Sequence, residues 1–97
     1  MIHSFRHKGL EAFATKQEIH GIRPGHAKRL TALLRELNTV KHVGEISRSA
    51  RLHRLYYYPE LPANSVWSVW VSAQWRLLFQ WNSRTRCVEN IDYVNYH

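Results

Sequence analysis

The sequence predicts an α+β domain in which two N-terminal helices pack on one face of an antiparallel β-sheet. Two observations lead there. Leucines recur at helical spacing before residue 40, whereas beyond Gly44 the chain turns to runs of β-branched and aromatic residues separated by turn signals. The order of the two halves matters as well. Helices first and strands afterwards describe a segregated fold rather than alternating βαβ units.

Taken in order, Ile2 to Phe5 reads as a short strand. Lys8 to about Thr15 reads as a short helix with Leu10, Phe13 and Ala14 on one side. Gly21-Ile22-Arg23-Pro24-Gly25 is a break, and Pro24 suits the first turn of a new helix because proline lacks the N–H that this turn leaves unused. From there Ala27, Leu30, Leu33, Leu34 and Leu37 mark one face of a helix that ends near Asn38, with Lys28, Arg29, Arg35 and Glu36 on the other. Four strands follow: Arg51 to Tyr58, Val66 to Val71, Arg76 to Trp81, and Cys87 to Tyr93. Pro59 and Pro62 interrupt the first two, since proline cannot donate to a ladder, and Asn82-Ser83-Arg84 is a hairpin turn. The apolar residues of the central hairpin share a core if Val71 opposes Leu77 and Val69 opposes Phe79, which needs an odd-numbered loop around Ala73-Gln74-Trp75.

The totals bound the function. Ninety-seven residues make a single domain, 1–97, with one core, and an apolar share of 44% with four tryptophans suffices to build it. Fourteen Lys and Arg against seven Asp and Glu give a net charge of +7, which favours polyanionic partners such as RNA, DNA or an acidic protein. Cys87 is the sole cysteine, so no intrachain disulfide forms, as suits a reducing compartment. No apolar run approaches the ~18 residues of a membrane span, and the N-terminus lacks the apolar stretch of a signal peptide. A cytoplasmic protein without a membrane partner is the expectation. His3 and His7 lie four apart at a strand-to-helix junction, a poor metal site, and there is no P-loop, C-x-x-C or G-x-S-x-G. Neither a metal nor a small-molecule cofactor is expected.

One cation stands out against this background. Arg76 sits within the apolar hairpin Ser68-Val-Trp-Val-Ser-Ala-Gln-Trp-Arg-Leu-Leu-Phe79. Alternation places it on the polar face of the sheet, beside Ser68, Trp70, Ser72 and Gln80. Arg51-Leu52-His53-Arg54 adds a histidine between cations, and the chain ends in a group of tyrosine, amide and imidazole, Asp92-Tyr93-Val94-Asn95-Tyr96-His97. Taken alone, the strand arginine is a solvated side chain and the two terminal tyrosines are a docking aromatic tail.

Together the motifs form a pattern. H-K-G-L-E-x-F near the start, P-x-H-A-K-R-L opening the long helix, R-L-H-x-L, W-S-V-x-V-S-x-x-W-R-L-x-F and a final D-Y-x-x-Y-H occur in that order over nearly the whole chain. This order resembles the HigB toxins of the RelE/ParE superfamily of bacterial toxin–antitoxin modules. The resemblance implies a RelE/ParE-like α+β fold, an endoribonuclease that cuts messenger RNA in the ribosomal A site without a metal, and silencing by a helix-turn-helix antitoxin of the HigA type. Carried across position by position, it implies four catalytic residues: His53, Arg76, Tyr96 and His97. Arg76 would stabilise charge on the phosphoryl oxygens, because a guanidinium binds phosphate through a planar fork. His53 and His97 would move protons, histidine being the side chain that titrates nearest neutrality. Tyr96 would orient or stack. Lys16, Arg23, Arg51, Arg54 and Arg84 would dock on ribosomal RNA.

The chain also departs from the pattern. Where the family reads H-x-L-K-G, Tyr56 and Tyr57 replace the lysine and glycine, and the loop that follows is longer. Tyr56 is assigned to RNA contact, by stacking or by its hydroxyl. Asn95 stands where an acidic residue precedes the final Y-H and is assigned to RNA contact too. Two alternatives fit these losses: a non-catalytic ParE-like inhibitor of DNA gyrase, or a degenerate toxin that acts only by binding its antitoxin.

Overall fold

The computed structural model describes residues 1–55 and 66–96. Helix α1 spans Lys8–Lys16 and α2 spans Ala27–Thr39. The strands are β1 (His53–Leu55), β2 (Val66–Trp70), β3 (Trp75–Asn82) and β4 (Cys87–Asn95), antiparallel in the order β1-β2-β3-β4. The α+β architecture thus stands as the sequence predicts. Tyr56 to Tyr58, the proline loop and His97 fall outside the described residues.

Local chemistry sets the helix ends. The Nδ1 of His7 accepts the Leu10 N–H at 3.0 Å and caps α1, a task more often given to Ser or Asp. At the other end Gln17 turns left-handed, and the N–H groups of Gln17 and Glu18 return to Phe13 and Ala12. Pro24–His26 forms one 3-10 turn that feeds directly into α2. Gly9 and Gly21 touch backbone to backbone. A Cβ on Gly9 would lie 2.6 Å from the Gly21 carbonyl oxygen, so α1 crosses the segment before α2 at a distance only glycine permits.

Leu10 and Phe13 from α1 and Leu30, Leu33, Leu34 and Leu37 from α2 are buried with Val69, Leu77, Phe79, Val88, Ile91 and Tyr93 of the sheet. The helices therefore cover one face only. At the β4 edge, Ile2 and Phe5 make two parallel bridges to Val88 and Ile91 in place of the expected continuous strand. The cause is a bulge: Asn90 takes φ 54° and the β3–β4 register shifts between Leu78 and Gln80. The Oγ of Ser4 accepts the Asn90 N–H at 2.8 Å, so the N-terminal segment fills the gap that the bulge opens.

The central hairpin pairs Val69 with Leu77 and Trp67 with Phe79, two residues away from the predicted register. A two-residue slip preserves which side chains share a face, so the core is the predicted one. Among the described residues no helix is long and apolar enough to cross a membrane.

Candidate active site

Side chains alternate between the two faces of the sheet. The face away from the helices carries His53 on β1, Ser68 and Trp70 on β2, Arg76 and Leu78 on β3, and Asp92 and Val94 on β4. Extending the β1–β2 register by two residues sets Arg51 across from Trp70. On the other side of β2, Arg76 is the partner of Trp70. The Arg51 and Arg76 guanidinium carbons lie 4.1 and 4.0 Å from the Trp70 ring centroid. Tyr96 continues the row, its ring centroid 5.5 Å from the Arg76 guanidinium carbon. Its backbone N–H is held by the Gln74 carbonyl.

Arg76 is more firmly placed than an outward strand residue needs to be. Its Nη1 donates to the carbonyl oxygens of Ser72 (2.7 Å), Ala73 (3.1 Å) and Trp75 (3.1 Å), so the side chain folds back and closes the β2–β3 loop. Trp70 and Tyr96 pack against the guanidinium. Trp75 belongs to the other face. A loop-closing arginine has a structural task as well as a charge to offer.

His53 is exposed on the edge strand, on the same face as Arg76 but two strands away, a gap of roughly 10 Å. Asp92 shares this face. Its Oδ2 meets Arg6 Nη1 at 3.2 Å and its Oδ1 accepts the Tyr93 N–H, so the carboxylate is engaged.

Behind the sheet a second polar cluster forms around Trp75. Tyr93 stacks on Trp75 with centroids 4.4 Å apart, and its hydroxyl lies 2.6 Å from His26 Nδ1. The same hydroxyl oxygen receives the Arg23 N–H at 3.4 Å, which leaves the phenol proton for the imidazole nitrogen. Arg23 sits 5.5 Å from the Trp75 centroid. Burial, then the charge of Arg23, holds the His26 imidazole below the ordinary histidine value. Burial pushes the Tyr93 phenol up, against the opposing pull of the Arg23 N–H and charge.

The other sequence-assigned residues scatter. Arg54 faces away from His53, 5.7 Å from the Trp67 centroid on the helix side. Lys16 is exposed in the last turn of α1. Arg84 lies in the β3–β4 turn, where Asn82 Oδ1 accepts its N–H at 3.0 Å; six residues of β3 put that turn about 20 Å from Arg76. Asn95 is exposed and pairs with Trp75 across β3 and β4. Tyr56 and His97 lie outside the described residues.

Two residues escaped the sequence reading. Arg29, assigned there to a solvated helix face, is half-buried. Its Nε and Nη2 reach the Trp70 carbonyl at 3.2 and 3.0 Å, and Nη2 also reaches the Ser49 carbonyl at 3.0 Å. His26 is the other. Both stand four and eight residues before leucines of the buried stripe (Leu33 and Leu37, Leu30 and Leu34), and that spacing was the available signal. A cavity of about 660 Å³ between α1, α2 and the N-terminal segment is lined by none of the assigned residues.

Comparison with known proteins identifies the family. A curated protein described as Endoribonuclease HigB, from Proteus vulgaris, is 33% identical over 98 residues spanning the whole of both chains. Residues 3–97 match the family model described as the RelE-like toxin of type II toxin–antitoxin system HigB. With both matches extending essentially end to end, the chain belongs to the HigB-like toxin family.

Proposed function

We propose that this chain is a metal-independent endoribonuclease, the toxin of its module, and that it inhibits translation by cutting messenger RNA in the ribosomal A site. The observation that carries the reading is the fixed Arg76, held against Trp70 and Tyr96 on the same face of the sheet as His53. In RNA the ribose 2′-hydroxyl is an internal nucleophile. The protein then has three tasks: to take the hydroxyl proton, to stabilise charge on the phosphoryl oxygens, and to protonate the departing 5′-oxygen. Arg76 performs the second, with a rotamer already fixed before substrate arrives. His53 and His97 are the proton carriers, and Tyr96 orients the substrate by stacking beside Arg76. None of these tasks needs a metal-generated hydroxide.

Lys16, Arg23, Arg54, Arg84, Tyr56 and Asn95 serve docking on the ribosome and its RNA, and Arg51 is placed with the mRNA path below. An HTH antitoxin of the HigA type silences the toxin. The reaction runs in the cytoplasm, where ribosomes are, within one domain spanning residues 1–97. Primer extension on a translated message after induction tests the function. Codon-phased cuts are the expected outcome; intact message accompanied by DNA damage signals would replace this reading with gyrase inhibition.

A further inference from the structure

Arg51 is held in an unusual way. It takes a left-handed backbone conformation, φ 52° and ψ 56°, at the end of a 3-10 turn formed by Arg48–Ala50. That conformation costs a residue with a Cβ about 1 kcal/mol or more and persists only where the surroundings enforce it. Here they do. Arg29 ties the Ser49 carbonyl in the turn to the Trp70 carbonyl at the end of β2, so the backbone leading into Arg51 is fastened to the strand it faces. The consequence is a guanidinium lying 4.1 Å from the Trp70 ring centroid.

Charge makes this placement informative. Arg51 and Arg76 are each about 4 Å from one indole, so they cannot be further apart than the sum of those distances. Like charges held so close repel unless an anion compensates them. Among the described residues no carboxylate does. Asp92, on the same face, is paired with Arg6, and Glu89 accepts from Asn82. The two arginines also differ. Arg76 gives one nitrogen to three loop carbonyls, whereas the Arg51 guanidinium meets no hydrogen-bond acceptor among the described residues and is exposed.

We infer that Arg51, braced on Trp70, binds a phosphate of single-stranded RNA next to the one held by Arg76, so that the Arg51–Trp70–Arg76 row engages two phosphates of one strand. This assigns Arg51 to the mRNA path rather than to ribosomal docking, and it rests on the nuclease reading for the identity of the strand. Trp70 is the ring against which both cations rest. Arg29 is a positioning residue that acts through the Ser49 and Trp70 carbonyls.

The test is binding of a short single-stranded RNA, 2′-O-methylated throughout so that it cannot be cut, at a series of salt concentrations. Each phosphate neutralised on a single strand contributes about −0.7 to the slope of log K against log salt. Arg51→Ala is expected to make the slope shallower by about 0.7, and Arg51→Lys to keep the slope while weakening binding, because lysine holds the charge but not the fork. Lys41→Ala, an exposed cation beside the β3–β4 turn at the far end of β3, is expected to leave the slope unchanged. Wild-type and Arg51→Ala proteins with equal slopes, or a wild type that does not bind the oligonucleotide, would overturn the assignment. The two readings fail separately. A slope change without codon-phased cleavage keeps the phosphate site and removes the nuclease, and cleavage with an unchanged slope does the reverse.

Discussion

Trp70 and Trp75 stand five residues apart on either side of one hairpin loop, and each has an arginine against its ring. Their surroundings differ. Around Trp75 the polar groups satisfy one another: the Tyr93 hydroxyl receives the Arg23 N–H and reaches the His26 imidazole, while the ring stack joins β3 to β4. Around Trp70 two guanidiniums share a ring with no carboxylate between them among the described residues, and an exposed imidazole follows on the edge strand. The same residue types make a structural joint around Trp75 and a pair of neighbouring cations around Trp70. What separates them is whether the donors and charges already have partners, not how many aromatics or cations are present.

The largest effect should come from the Trp70 face. Arg76→Ala is expected to lower mRNA cleavage ~100- to 1000-fold, the usual loss when a preorganised charge stabiliser is removed. It should also lower the thermal midpoint, because the Ser72, Ala73 and Trp75 carbonyls lose their donor. Arg76→Lys separates the two effects. An ammonium can still reach loop carbonyls, so the fold should hold while cleavage recovers only in part.

The closed cluster should show the opposite pattern. Tyr93→Phe leaves the His26 Nδ1 and the Arg23 N–H without their shared partner, a cost of about 1–3 kcal/mol. At about 4–8 °C of thermal midpoint for each kcal/mol in a chain of this size, differential scanning fluorimetry will resolve it. Cleavage per folded molecule should not change.

A smaller effect of the same cluster is its pH dependence. The folded chain holds His26 below the ordinary value of about 6.5. As pH falls below 6.5 the unfolded chain takes up the proton first, so stability declines with acid until pH has passed the folded value. Protonation also disrupts the bond network, since Nδ1–H and the Arg23 N–H would then both point at the Tyr93 oxygen. His26→Phe should remove this part of the slope in denaturation series run from pH 7.5 to 5.

The smallest effect is expected at Tyr56, which stands where the family pattern has a lysine. Tyr56→Lys should leave growth inhibition at least as strong as in the parent. A folded variant that lost toxicity would show that the aromatic ring has its own task.

The second helix was plain in the sequence because five apolar residues at helical spacing leave one solution, and the strands followed from their composition. Arg76 could be placed on the correct face for the same reason, since alternation is insensitive to a two-residue slip. The hairpin register could not be read, because pairing Val69 with Phe79 or with Leu77 buries the same set of side chains, and only the loop geometry chooses. Arg29 and His26 share rows with buried leucines, but charge and polarity point to exposure, so the sequence does not mark them as partly buried. Nor could alternation show that Arg76 folds back onto its own loop, or that Arg51 turns left-handed onto Trp70. Those depend on carbonyls and rings brought together by tertiary structure.

The central claim is that the Trp70 face performs the reaction and the Trp75 cluster only supports it. The most direct test measures single-turnover cleavage on programmed ribosomes for Arg76→Lys and Tyr93→Phe, each at equal concentrations of folded protein. A rate at least tenfold lower is expected for Arg76→Lys, and a wild-type rate for Tyr93→Phe. Wild-type cleavage by Arg76→Lys with cleavage lost in folded Tyr93→Phe would contradict it.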